Sequence, residues 1–197
     1  VTPDLIEDLA VEVLRARHVE HLAKAERARG LRPRTFEPLR TVSHMAAQDV
    51  RVSGDKLPAV LVGFIGLAGS PVRNELDTLD AELLLGVQVS VVGPKRRDTL
   101  RRRDITAWTV AECLLERMPR NDLVARVSWT DAEPVEEEDA QRILGEMRMV
   151  FSVGVQSMVA VAGGLPPHDT GWPAGGPNGP PAEPYDPLAD PPEAAVF

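Results

Sequence analysis

The sequence predicts an α+β domain in which two amphipathic helices cover one face of a mixed, mostly antiparallel four-stranded sheet. Three observations predict this class. Two segments carry apolar residues at helical spacing, four segments have strand patterns, and the elements follow one another as α–β–β–α–β–β. Such an arrangement buries all of the apolar faces at once. The 197 residues are enough for one domain of this kind and an appendage.

The two helices are predicted from their ends and their apolar stripes. Thr2-Pro3 is a suitable helix start and Gly30 a suitable end, so residues 2–30 are expected to form a helix of about seven turns. The second helix ends at Pro119. Its apolar stripe, which we expect to meet the sheet in the core, consists of Leu100, Ile105, Ala107, Trp108, Ala111, Leu114, Leu115 and Met118.

Four segments are predicted to be strands. Residues 59–65 form a continuous apolar run, which is typical of a strand covered on both faces. Residues 83–91 and 143–159 alternate between apolar and polar side chains, and residues 123–130 do so over a shorter stretch. Residues 31–58 are expected to be mostly extended, with a short helical or strand piece near 42–52. Residues 131–139 are expected to form an acidic turn.

Composition changes sharply near residue 162. Residues 163–197 contain ten of the eighteen prolines, six of the fifteen glycines, five acidic residues and no lysine or arginine. Such a segment cannot build a core. We therefore predict a domain over residues 1–162 and an extended proline- and glycine-rich arm over residues 163–197. Its expected anchors on a partner surface are Trp172, Tyr185, Leu188 and Phe197.

Several function classes are disfavoured by the sequence. The net charge of −8 argues against a general nucleic-acid-binding protein. The apolar runs are too short to cross a bilayer, and no signal peptide is expected. The single cysteine, Cys113, excludes an internal disulfide and is expected to be a small buried side chain. No nucleotide, dinucleotide or hydrolase motif is present, so neither an enzyme nor a cofactor is predicted.

Two clusters have metal-ligating residue types. His18 and His21 lie three residues apart on the first helix, but the sequence HVEH matches no zinc motif, and a solvated helix face is predicted. The acidic segment, defined as Glu136–Asp139, could supply carboxylates. Because neighbouring side chains diverge in direction, a solvated turn is predicted there instead.

The basic segment, Lys95–Arg103, is the most unusual stretch of the chain. Its six cations are Lys95, Arg96, Arg97, Arg101, Arg102 and Arg103. We expect a loop with the last three residues in the first helical turn, where the helix dipole disfavours positive charge. Such a conflict is typical of a functional surface. We predict a partner interface, and its counterpart in a ring would be the acidic segment of Glu136, Glu137, Glu138 and Asp139 on a neighbouring copy.

The order and character of these segments resemble the tail terminator proteins of long-tailed bacteriophages, especially those with actinobacterial hosts. The resemblance covers residues 1–160. It lies in the long first helix, LPAVLVGFIG (Leu57–Gly66), LLLGVQVSVVG (Leu83–Gly93), ITAWTVAECLLERM, LVARVSWTD and RILGEMRMVFSVGV (Arg142–Val155). It implies a non-enzymatic virion protein, assembled in the host cytoplasm, that forms a hexameric ring on the head-proximal end of the tail tube. Tail tube protein and the head–tail connector are the implied partners.

Other functions remain open on the sequence. The chain could be another neck protein, such as a stopper or adaptor, or a tail-tube subunit. More remote alternatives are a module that binds nucleic acid through the basic segment and a metal-dependent nuclease that uses the acidic segment. In a ring, contact with DNA passing through the lumen is also compatible with the basic segment.

Overall fold

The computed structural model describes residues 2–45, 52–74, 79–139 and 142–156. Its helices are α1, Pro3–Ala28, and α2, Arg96–Arg117, and short 3-10 turns span Gly54–Lys56 and Met118–Arg120. The strands are β1 (Thr41–His44), β2 (Ala59–Leu67), β3 (Val72–Arg73), β4 (Leu79–Gly93), β5 (Val124–Asp139) and β6 (Arg142–Val155). None of the helices in these ranges is long and apolar enough to span a membrane.

The strands lie side by side in the order β1-β2-β4-β6-β5, and β3 pairs with the start of β4. Every pairing is antiparallel except β1–β2. The α+β class and the mostly antiparallel sheet are thus confirmed, but the described ranges contain six strands and not the predicted four. The two additional strands, β1 and β3, are four and two residues long. Strands this short show no alternating pattern in the sequence. Pairing with neighbouring strands holds them in place.

Both helices pack on one face of the sheet. The alternation predicted for β4 is confirmed, because its odd-numbered residues from 81 to 91 are buried, and β6 buries its odd-numbered residues from 149 to 155. The inward residues of α1 and α2 complete a single core. The largest fully buried apolar side chains are Phe151, Ile6, Leu14, Leu83, Leu85, Leu114, Met118 and Met149.

The end of α1 is held by a buried carboxylate. The helix begins at Pro3 as predicted, and beyond its end Gly30 has a φ of 65°, a conformation that suits glycine. The buried Glu26 carboxylate accepts hydrogen bonds from the backbone N–H groups of Arg34 (2.9 Å) and Phe36 (2.8 Å). These bonds turn the chain back so that Phe36 packs with Leu22 of α1 and Ile105 of α2.

The prediction that β2 is covered on both faces is wrong for its second half. Ala59, Val60 and Val62 are buried, whereas Ile65 is 52% exposed and Phe64 is also exposed. The register between β2 and β4 shifts between Phe64 and Gly66. A continuous apolar run therefore predicts burial correctly only over the part of the strand that the helices cover.

The predicted acidic turn at residues 131–139 is also wrong. β5 continues through this segment to Asp139, with Asp131 opposite Val150 and Asp139 opposite Arg142. Glutamate has a low intrinsic preference for strands, but strand propensity depends strongly on context. The long edge of β6 offers backbone partners to this segment, and those hydrogen bonds override the local preference.

The predicted division into a domain and an arm stays a prediction. The arm and its expected anchors, Trp172, Tyr185, Leu188 and Phe197, lie outside the described residues.

Replacing Gly93 by alanine should lower the free energy of unfolding by about 1–3 kcal/mol. Gly93 ends β4, and a Cβ atom built there would overlap Oγ1 of Thr99, which is buried in the first turns of α2. Urea unfolding of the full chain measures the loss. Gly69→Ala is the matched control, because that position has open space. The double variant Gly93→Ala/Thr99→Ala should recover part of the loss, and equal stability of Gly93→Ala and Gly69→Ala would contradict the overlap.

Candidate functional site

The basic segment lies at the start of α2 and not in the loop that we predicted. The helix begins at Arg96, and Lys95 precedes it in an extended conformation. The Lys95 carbonyl accepts hydrogen bonds from both the backbone N–H (3.0 Å) and the hydroxyl (2.9 Å) of Thr99. Because Gly93-Pro94 ends β4 and Thr99 closes this turn, the five arginines of the segment are placed on helical backbone.

Five of the six cations are exposed: Lys95, Arg96, Arg97, Arg101 and Arg102. Arg96 and Arg97 lie in the first turn, where the unpaired N–H groups of the helix already create a positive field. Asp98 in the same turn offsets part of it. The conflict with the helix dipole that the sequence indicates therefore exists in the structure, at Arg96 and Arg97 rather than at residues 101–103.

Arg103 has a different environment and is only 7% exposed. Its Nε and Nη2 atoms both donate to Oδ1 of Asp104 at 2.8 Å. The aliphatic part of its side chain packs over Gly145 of β6, where a Cβ atom would meet Arg103 Cβ and Cδ at 3.5 Å. Arg103 thus helps to join α2 to the sheet, and within the basic segment only the other five cations are exposed.

The backbone of the acidic segment lies at the same end of the sheet. Glu136 is opposite Gly145, and Gly145 packs against Thr99 and Arg103 of α2. The side chains of Glu136–Asp139 lie outside the described part of the structure. We call this end, with the basic segment and the acidic segment, the charged end. The interface role of both segments stays a prediction.

The opposite end of the sheet carries exposed apolar side chains beside charged ones such as Glu82 and Arg126. Leu67 is opposite Leu83 at the start of β4, and β3 pairs Val72 with Asp80 nearby. Leu67, Val72 and Ile65 are all exposed, with Val72 at 67%. We call these three residues the apolar end. The only signal in the sequence is that apolar residues continue beyond residue 65, between Gly66, Gly69 and Pro71.

Trp108 is not a core residue, contrary to our prediction. It is 55% exposed, and its ring meets that of Trp129 edge to face with centroids 5.7 Å apart. Trp129 in turn stacks on the buried Phe151 at 6.2 Å. The helical stripe places Trp108 at the margin of the buried face, over β5. Periodicity alone could not identify this exposure, because it depends on the contact with Trp129 of β5.

The prediction of a solvated face for His18 and His21 is wrong, since both are buried between α1 and α2. His18 Nε2 lies 3.0 Å from Oγ1 of Thr109, and the Thr109 hydroxyl donates its only hydrogen to the carbonyl of Thr106. Therefore His18 donates through Nε2–H, and Nδ1 is the unprotonated nitrogen. Burial and the neighbouring His21 lower the pKa of His18 from 6.5 to about 4.

Ion pairs cover the two histidines on the solvent side. Lys24 donates to Glu112 Oε1 (2.6 Å) and Glu116 Oε1 (3.1 Å). Hydrogen bonds to these carboxylates raise the pKa of Lys24, and the bond from Lys24 lowers the pKa of Glu116. Arg117 pairs with Glu20 at 3.2 Å in the same way. Exposed ion pairs of this kind add little to the stability of the fold. Their importance here is their position over the two buried histidines.

Cys113 is fully buried on α2, as predicted. Burial raises the pKa of its thiol to about 12, so it is protonated at neutral pH and is not an activated nucleophile.

Comparisons with known proteins do not identify a family for this chain. No family model matches the chain, and no curated protein matches it. A solved structure, a chain in the virion of a native gene transfer agent particle, is similar over 57% of this chain and 77% of its own length. The sequence identity is 13% and the TM-score 0.37, a similarity too weak to carry an argument about fold or function.

Proposed function

We propose that this protein is a structural component of a phage-type virion, without enzymatic activity, that forms a ring on the head-proximal end of the tail tube. The ring ends tube polymerisation and receives the head–tail connector. The resemblance of residues 1–160 to tail terminators supports the proposal, because its stretches coincide with the elements of the sheet and its helices. LLLGVQVSVVG lies in β4, ITAWTVAECLLERM lies in α2 except for its last residue, and RILGEMRMVFSVGV is β6.

The observation that carries the proposal is the chemical difference between the two ends of the sheet. Three exposed apolar side chains lie at one end, beside the Glu82–Arg126 ion pair, whereas five exposed cations and the backbone of the acidic segment lie at the other. A ring that joins two different partners needs two different end faces. Solvent-exposed leucine, isoleucine and valine at one tip of a sheet are typical of a contact surface.

The two edges of the sheet also differ, which suits head-to-tail contacts between copies. β1 is four residues long, and Arg15 of α1 donates to the Val42 carbonyl through Nε (3.1 Å) and Nη2 (2.7 Å). This arginine blocks pairing with another strand at that position. β5 is sixteen residues long, and among the described residues no strand pairs with its outer side. Unlike surfaces that meet around a closed rotation form a ring.

The direct test is to mix the purified full chain with tail-tube subunits and follow polymer length by electron microscopy. We expect substoichiometric amounts to cap growth and six copies to be visible at the capped end. A chain that polymerises by itself would instead be a tube subunit, and tubes of unchanged length would contradict the proposal.

Reversing the exposed charges Arg101→Glu/Arg102→Glu should weaken ring formation at least about tenfold, because like charges then meet across the contact. Analytical ultracentrifugation measures the ring fraction. The matched control is Arg17→Glu/Arg120→Glu, which makes the same charge change on exposed residues away from the charged end. Arg103 is left unchanged, because reversing this buried cation would disturb the fold. Equal ring fractions in both double variants would rule out the charged end as the contact.

A further inference from the structure

The second half of α1 and the second half of α2 bring together three groups that can ligate a metal ion. Glu112 and Glu116 are four residues apart on α2, so they lie on the same side of the helix. His21 of α1 faces them. One nitrogen of His21 and one oxygen of each carboxylate all lie within 4.8 Å of one another.

The imidazole of His21 lacks the partners that a buried polar group requires. The residue is 2% exposed, and neither of its ring nitrogens has a hydrogen-bond partner among the described residues. Nδ1 points towards Glu112, with Oε2 at 3.9 Å, beyond hydrogen-bond distance. A buried polar group without a partner destabilises the fold. A cation placed between His21 and the two carboxylates would give one of these two nitrogens a partner.

A positive charge already lies beside these carboxylates. The Lys24 ammonium donates to Oε1 of Glu112 and Oε1 of Glu116, while its side chain is 54% exposed. Lysine is flexible and can turn into solvent without disturbing the core. The ammonium contacts the two carboxylates but makes no hydrogen bond to His21, whereas a metal ion accepts nitrogen and oxygen ligands together.

We propose that His21, Glu112 and Glu116 bind a divalent transition-metal cation of the zinc type, which displaces the Lys24 ammonium from the two carboxylates. One imidazole and two carboxylates are ligands that zinc accepts, and a fourth position remains for water. The imidazole disfavours magnesium, which prefers oxygen ligands and retains its waters. The bound ion joins α1 to α2 and stabilises the helix pair by ligand linkage. This inference does not depend on the assembly role.

Titration of the full chain with zinc chloride, followed by calorimetry, tests the site. We expect one zinc ion per chain and no comparable heat with magnesium chloride. His21→Gln and Glu116→Gln should each weaken zinc binding at least about tenfold. Glu116 lies on the exposed side of α2, so its variant keeps the test valid if the buried substitution impairs folding. Lys24→Met should strengthen zinc binding by about tenfold, because it removes the competing cation.

Two control variants replace other residues of types that can bind zinc. His44 Nε2 lies 2.9 Å from Asp8 Oδ1 in an exposed pair, so His44→Gln should leave zinc affinity unchanged. Cys113→Ser should also leave it unchanged. The proposal is overturned if the wild-type chain binds no zinc, if Glu116→Gln and His21→Gln both retain wild-type affinity, or if Cys113→Ser abolishes binding.

Discussion

Replacing Phe151 by alanine is expected to lower the free energy of unfolding by about 4 kcal/mol. Phe151 is fully buried at the centre of β6, opposite Leu85 of β4 on one side and Trp129 of β5 on the other. Its ring also supports Trp129, which in turn supports the exposed Trp108. The truncation therefore removes buried apolar surface and leaves a cavity between three strands and α2. Urea unfolding followed by circular dichroism measures the change.

The neighbouring Val150 provides the control for this prediction. It lies on the same strand but points to the opposite face, where it is only partly buried. Val150→Ala should cost clearly less, about 1 kcal/mol. Phe151→Leu, which keeps much of the volume, should fall between the two variants. If Phe151→Ala and Val150→Ala destabilised the chain equally, Phe151 would not have the central position described above.

Acidification should destabilise the folded chain between pH 6.5 and pH 4 through His18. Its pKa is about 4 in the folded state and 6.5 when unperturbed, because burial and the neighbouring His21 disfavour the charged imidazolium. In this interval the unfolded chain binds a proton that the folded chain does not bind. Stability is therefore full above pH 6.5 and falls as the pH decreases, by up to about 3 kcal/mol at pH 4.

Urea unfolding at several pH values between 7 and 4 checks this prediction with the variant His18→Gln. Glutamine can still donate to Thr109 but does not titrate, so the dependence of stability on pH should become clearly flatter. A wild-type slope in His18→Gln would show that other groups cause the acid sensitivity.

The placement of the basic segment could be predicted from the sequence only in part. The glycine-proline break and the following apolar stripe correctly indicated that the basic segment lies between β4 and the second helix. The predicted loop is wrong, because α2 already begins at Arg96. The burial of Arg103 was not predictable. It depends on Gly145, forty-odd residues later in the chain, which has no side chain and so leaves room for the arginine stem.

The burial of His18 and His21 was also not predictable from the sequence. The first helix carries polar and charged residues on most of its surface, so His18 and His21 are easily assigned to solvent. They are buried because α2 packs against that side of α1 and presents Thr109 to His18. A pairing across ninety-one residues leaves no local pattern. Trp108 is the opposite case, because it was predicted to be buried and is exposed. It lies at the margin of the apolar stripe, where the neighbouring strand β5 determines its surroundings.

The sequence by itself determined the α+β class, the long first helix, the alternating strands β4 and β6 and the stripe of α2, because period and burial are local consequences of side-chain order. Only the tertiary structure decided the six-stranded order, the extension of β5 through its acidic residues, and the grouping of His21 with Glu112 and Glu116. These features arise from contacts between distant segments. Backbone pairing and helix packing are strong enough there to override local preference.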